Sequence, residues 1–348
     1  MVRFPSTLFV VFCIGSICVG AEASAGDQGD QARRILAEAG VEGGLIVHLG
    51  CGDGRRTAAL RTTESYVVHG LDADAANVAE ARRYVHDLGL YGAVSIEHWP
   101  HARLPYATNL VNLVVAENLG RTPMSELLRA LVPGGMALIR EEGRWRKTVK
   151  PRPDEIDEWT HFLHDASNNA VARDRRVGPP GGMQWNVGPL WSRSHEHVSS
   201  IAAMISGGGR LFYVVDEGLT SITSNTDERI PERWMLVARD AFNGVQLWKR
   251  PLTEWRGGEW QGFSLRGRPA SGPKRIVADG NRLYATLSHQ AGVVILESAT
   301  GDTLATIAET EGAQELIQVG KTLLVYIDAL EQRRGEPSGN IVAINLSN

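Results

Sequence analysis

Gly50, Gly52 and Gly54 stand at every second position directly after the apolar run LIVHL of residues 45–49. That spacing suits chemistry in which the main chain itself makes the contacts. A residue without a Cβ lets a polar ligand approach the backbone, and a helix starting right after the last glycine adds the free N–H groups of its first turn. Asp72 ends a second apolar run about one strand–helix–strand unit later. A carboxylate there can accept both hydroxyls of a ribose. A dinucleotide-binding turn would need glycine at position 55, which is Arg55. The pattern predicts a nucleoside-type ligand and not a dinucleotide. A second constellation lies further on. His161, His164 and Asp165 could share one face of a short helix, and His195 and His197 alternate on a possible strand. They are candidate metal ligands. No defined ligand motif such as His-Glu-x-x-His accompanies them, which favours polar side chains that cap turns and pin this segment in place.

The elements that must carry the glycines and Asp72 alternate strand with helix. Residues 31–39 predict a short helix with Ile35 and Leu36 inward, 45–49 a buried strand, 55–60 a helix and 66–71 a second strand. Residues 75–88 predict a helix with Val78, Val85 and Leu88 on one face, and 94–99 and 110–116 two further strands. The last of these is nearly all apolar, as a strand covered on both faces should be. Residues 124–131 read as a helix, Pro133-Gly134-Gly135 as a turn and 136–140 as a fifth strand. Such alternation implies a doubly wound α/β fold around a parallel sheet. Arg144, Arg146, Lys147, Lys150 and Arg152 lie in a Pro-containing stretch and read as a solvated linker.

Gly50-x-Gly52-x-Gly54 resembles motif I of the class I S-adenosylmethionine (SAM)-dependent methyltransferases. The segments LPYATNLVNLVVAENLG (104–120) and LLRALVPGGMALI (127–139) are similar to that family's fourth strand and to its helix, Pro-Gly-Gly turn and fifth strand. The resemblance spans roughly residues 43–140 and implies a Rossmann-like sheet. It implies SAM as cofactor, with His48, Gly50, Gly52, Gly54, Asp72, Trp99 and Asn112 at the cofactor positions. Three of these depart from the family's residue types. His48 replaces the acid at the head of motif I, Trp99 stands near the acid beside the adenine, and Asn112 replaces the Asp that opens the fourth strand. Weakened SAM binding is therefore the expectation.

The second half repeats itself. LVARDAFNGVQLW (236–248), VILESATGDTLA (294–305) and IVAINLSN (341–348) share a strand-and-turn pattern. GGRLFYVVD (208–216), GNRLYATLS (280–288) and GKTLLVYID (320–328) place a turn glycine before an alternating strand. These units resemble the PQQ-like (quinoprotein-type) β-propeller repeat, whose Trp, here Trp248, is expected to pack between neighbouring blades. A propeller needs roughly four to eight blades and about three are legible, so the array reads as incomplete. PQQ itself is not expected. No Cys-Cys pair occurs, and Trp185, Trp191, Trp255 and Trp260 suit core packing better than stacking on a quinone.

Arg3, the apolar run of residues 8–20 and small residues at 19–25 form the pattern of a secretory signal peptide. Export to the periplasm or the exterior is the expectation, without stable membrane insertion once the leader is removed. Cleavage would leave Cys51 alone of the three cysteines, so no internal disulfide is expected. The formal charge of −4 offers no footprint for nucleic acid. The organisation reads as a signal peptide (1–25), a methyltransferase-like α/β domain (26–142), a linker and propeller lead-in (143–190) and propeller blades (191–348). The function this suggests is ligand or partner binding by the propeller, beside a SAM pocket of reduced competence. An active methyltransferase is the first alternative and a quinone-dependent oxidoreductase the second.

Overall fold

The computed structural model describes residues 20–179, 181–188, 201–218, 231–255, 272–328 and 339–347. The expected leader run, His195, His197, Trp191 and Trp260 lie outside these residues.

The first half is a six-stranded sheet with helices on both faces. Its elements are α1 (Gly20–Ala39), β1 (Gly44–Leu49), α2 (Arg55–Ala59), β2 (Tyr66–Asp72), α3 (Ala75–Asp87), β3 (Val94–His98), β4 (Val111–Ala116), α4 (Met124–Ala130), β5 (Leu131–Glu141) and β6 (Arg144–Val149). The strand order is β3-β2-β1-β4-β5-β6. β1 to β5 are parallel to their neighbours and β6 is antiparallel to β5. Ile46, Val68 and Val115 face a core shared with α1, α2 and α3, built on Ile35, Ala58, Val78 and Val85. Val47, Leu49, Val114 and Ile139 face the opposite core with Leu127 of α4. Two-sided burial explains why these strands read as continuous apolar runs.

Three local readings change. Leu88 caps α3 and is 49% exposed instead of inward. Pro133-Gly134-Gly135 does not form a separate turn. It lies within β5, whose register on β4 shifts between Val111 and Leu113. The basic stretch expected to be a linker is β6, paired with β5 through Arg140 opposite Trp145. Its charges hide a strand alternation in which Trp145 leans on the α1 core while Arg144 and Arg146 face out. Charged side chains on an edge strand also oppose unwanted pairing.

The second half forms three antiparallel sheets. The first orders as β10-β9-β8-β7, from β7 (Ile201–Gly207), β8 (Arg210–Asp216), β9 (Trp234–Asp240) and β10 (Gln246–Pro251). The second runs in chain order through β11 (Ile276–Asp279), β12 (Arg282–Thr286), β13 (Val293–Glu297) and β14 (Thr303–Ile307). The third holds β15 (Ala313–Val319), β16 (Thr322–Ile327) and β17 (Asn340–Asn345). One core joins the first sheet to the second, through Phe212, Leu236, Trp248, Leu283 and Leu296. Another joins the second to the third, through Tyr284, Val293, Leu316 and Val325.

The sequence repeat is a repeat of hydrogen bonds. Ala241, Ser298 and Leu346 each donate their N–H across the sheet, to the carbonyls of Gly209 (3.0 Å), Asn281 (2.9 Å) and Lys321 (2.8 Å). Trp248 donates from Nε1 to Ser298 O at 3.0 Å, and its ring lies 2.6 Å from where a Cβ on Gly301 would stand. Trp185 of the lead-in treats the first sheet alike. It donates to Ala241 O at 3.1 Å and lies 2.5 Å from the Cβ position of Gly244. Only glycine admits an indole so close, and both glycines also hold positive φ, at 73° and 77°. Trp255 is buried beside Trp234. The two described candidates for quinone stacking, Trp185 and Trp255, are thus packing residues.

Residues 159–161 tie the first strands of the sheets together. The N–H groups of Ser206, Ala278 and Gln318 donate in turn to Trp159 O (2.7 Å), Thr160 O (3.0 Å) and His161 Nε2 (3.0 Å). Trp248→Ala removes both the indole plug and its hydrogen bond. Urea denaturation should show a loss of about 3–5 kcal/mol, the range of large-to-small core substitutions.

Candidate functional site

The site is assembled at the carboxyl ends of β1 and β2. Gly50, Gly52 and Gly54 adopt φ of 69°, 54° and 80°, the left-handed region that glycine enters freely. Gly50 N and Cys51 N both donate to Leu71 O, at 2.8 and 3.2 Å, which folds the turn over the end of β2. A Cβ on Gly50 or Gly52 would meet no atom within 4 Å, so the surface above the turn is open. Gly54 serves another purpose. A Cβ there would lie 2.7 Å from that of Ala81, so this glycine lets α2 start against α3.

Asp72 is 8% exposed and closes the turn. Its Oδ2 accepts the Gly52 N–H at 2.8 Å, and its Oδ1 accepts from Asp74 N at 2.9 Å and Asn77 Nδ2 at 3.3 Å. Oδ1 has both its acceptor sites filled, and Oδ2 has capacity for one further donor. Trp99 follows β3 and joins the same edge. Its N–H donates to Asp72 O at 2.7 Å, and its indole donates to Arg103 O at 2.7 Å.

His48 lies beneath the turn on the face of Ile46, paired through Nδ1 with Thr57 of α2 at 2.8 Å. Burial, and after it the charge of Arg56, lower its pKa to about 4. His48 is neutral at ordinary pH and supplies no charge where the resemblance implies an acid. Cys51 is buried within the turn, and that burial raises its thiol pKa to about 12.

Asn112 does not belong to this site. It lies near the amino end of β4, at the opposite edge of the sheet. There its Oδ1 accepts Leu45 N at 2.8 Å and Asn243 Nδ2 at 2.6 Å, and its Nδ2 donates to Asp240 Oδ2 at 2.6 Å. It bonds the two halves to each other. A Cβ on Gly44 would overlap its amide. A local motif comparison could not reveal this, because Asn243 and Asp240 are more than a hundred residues away.

One group of site residues carried no local signal. Glu117, directly after β4, pairs with Arg56 and lies 3.4 Å from Arg140, while Arg56 donates to Gln31 of α1 at 2.9 Å. These contacts hold α1 over the carboxyl edge. The position of Glu117 at the end of the fourth apolar run is the only hint the sequence offers.

The candidate metal ligands are accounted for differently. His161 accepts from Gln318, and His164 is bonded through Nε2 to Asp157 at 2.7 Å. Among the described residues, no three His, Cys, Asp or Glu gather as a metal site would require.

The glycine turn, the carboxylate at the end of the second strand and the strand order meet in one comparison. Residues 46–135 match the family model described as a methyltransferase domain. This stretch, about a quarter of the chain, is similar to methyltransferase domains. No curated protein sequence matches the chain. Among similar solved structures is one from Methanococcus maripaludis described as an S-adenosyl-L-methionine-dependent methyltransferase. It has 20% identity over 34% of this chain and 61% of that one, with a TM-score of 0.30. Another is geranyl diphosphate C-methyltransferase of Streptomyces coelicolor, solved with Mg2+, geranyl diphosphate and S-adenosyl-L-homocysteine. It has 21% identity over 32% of this chain and 45% of that one, with a TM-score of 0.30. The chain thus spans between 45% and 61% of the length of these two structures. The six-stranded sheet is Rossmann-like in its own strand order, and SAM is a cofactor consistent with the family match.

Burial of neutral His48 makes the domain acid-sensitive. The folded pKa is about 4 and the unfolded value about 6.5. Its stabilising share is therefore whole above about pH 6.5 and is lost as the pH falls towards about 4, a change of roughly 3 kcal/mol. Urea denaturation at both ends of that window should show the wild type losing about this much more stability than His48→Gln.

Proposed function

We propose that this chain binds SAM weakly through the methyltransferase domain and that its antiparallel sheets are blades of a PQQ-like propeller that recognises a ligand or protein partner. The observation that carries the first part is the Asp72–Gly52 hydrogen bond, which sets a carboxylate against an open glycine turn. SAM would bring a sulfonium-bound methyl group. The chain would supply position, which is most of what methyl transfer requires. Asp72 would accept a ribose hydroxyl on Oδ2, the main chain at Gly50 and Gly52 would admit the ligand closely, and Trp99 would flank the base. Neutral His48 would leave the amino end of the methionyl group without its usual charged partner.

The matching turns, the Trp248 and Trp185 staples and the hub at residues 159–161 support the propeller reading. An exported chain would meet little SAM outside the cytosol, which accords with a weak site. It also makes recognition by the sheets the more constant activity.

Calorimetry of the purified chain tests the reading. SAM and S-adenosylhomocysteine should bind weakly, and Asp72→Ala should abolish binding. His48→Asp should tighten it by about one to two decades, the value of one charge-assisted hydrogen bond of roughly 1.5–3 kcal/mol. Low-micromolar binding by the wild type would instead support an active methyltransferase. Absence of binding in every variant would reduce the glycines to turn formers.

A further inference from the structure

A cleft of about 270 Å³ lies where the two halves meet, at the amino edge of the first sheet. One wall comes from residues 40–43 and 132–135 of the methyltransferase half, the other from residues 208–210, Asp240, Phe242 and Leu247. Domain junctions are favoured places for small-molecule sites. This cleft is far from the glycine turn, since it opens beside Asn112.

Two of its charged groups form no ion pair among the described residues. Arg210 is half-buried, and its guanidinium makes only long contacts, to Gly208 O at 3.4 Å and Ser298 Oγ at 3.3 Å. Among the described residues it forms no ion pair. Burial lowers its pKa, and Glu42 is the foremost of the acids that oppose the effect. Glu42 sits on the rim of the same cleft, exposed, with no hydrogen bond or ion pair among the described residues. The other charged groups are engaged. Arg152 pairs with Glu158 at 2.6 Å. Asp240, a second acid whose field acts on Arg210, has its oxygens taken by Asn112, Phe242 N and Asn243 N.

A cation and an anion that share a cleft without touching are complementary to a ligand carrying both charges. A guanidinium engaged only through long contacts of Nη1 suits a carboxylate, and a rim carboxylate suits an ammonium. The apolar surfaces of Val41, Phe242 and Leu247 line the remainder. The volume equals about nine waters at roughly 30 Å³ each, the scale of one amino acid. We propose that this cleft binds a free α-amino acid with an apolar side chain, its carboxylate on Arg210 and its ammonium on Glu42.

The test is calorimetry with L-leucine and L-phenylalanine, each compared with its N-acetyl and its carboxamide derivative. At least one of the two amino acids should bind, and each derivative of it should bind about tenfold or more weakly. The variants assign the contacts. Arg210→Gln should erase the difference between acid and carboxamide, and Glu42→Gln the difference between amine and N-acetyl form. Glu42 is exposed, so its variant should fold normally; circular dichroism checks this for both variants. Absence of binding by both amino acids overturns the proposal, as does equal binding of the blocked forms. The reading of the glycine turn is independent of this result, since the SAM titration of Asp72→Ala reports on the other end of the sheet.

Discussion

Buried main-chain N–H groups must find acceptors, and the architecture of this chain follows from how it meets that demand at element ends. Gly52 N finds Asp72, Leu45 N finds Asn112, and the N–H groups of Ser206, Ala278 and Gln318 find residues 159–161. The first bond shapes the glycine turn. The second fixes the junction of the two halves. The third gathers the sheets of the second half around one segment.

These solutions share a device, a residue whose polar atoms reach beyond its own element. Asn112 uses both ends of its amide, one towards β1 and the turn after β9, the other towards Asp240. His161 uses one ring nitrogen towards Gln318 and the other towards Thr160 at 2.8 Å. Since Nε2 accepts a backbone N–H, the ring proton is on Nδ1. Asn112, expected at a SAM position, thus serves inside the fold, and His161 pins its segment as the favoured reading had it, which is the commonest fate of buried polar side chains.

The two ends of the parallel sheet consequently differ in character. At the carboxyl edge the turn is open above Gly50 and Gly52, with Asp72 beside it. At the amino edge β1 and β4 are fastened to the second half, and Ser65 Oγ adds a bond to Leu247 O at 2.6 Å. Open α/β sheets take ligands at the carboxyl ends of their strands, so the second half is docked where it does not obstruct that edge.

Periodicity and glycine chemistry made the local elements legible: five parallel strands, the glycine turn, Asp72 at the end of β2, and the paired repeat units with their turn glycines. These depend on neighbours within one turn or strand, and residue order alone encodes them. β6 was hidden because its charges mask the alternation that seats Trp145 on α1. The destination of Asn112, the neutrality of His48, the pairing of Trp185 with Gly244 and the hub at residues 159–161 were decided only by tertiary structure. Each depends on which unsatisfied group, or which space left by a glycine, comes to lie opposite once distant elements pack. No local pattern in the chain specifies that partner.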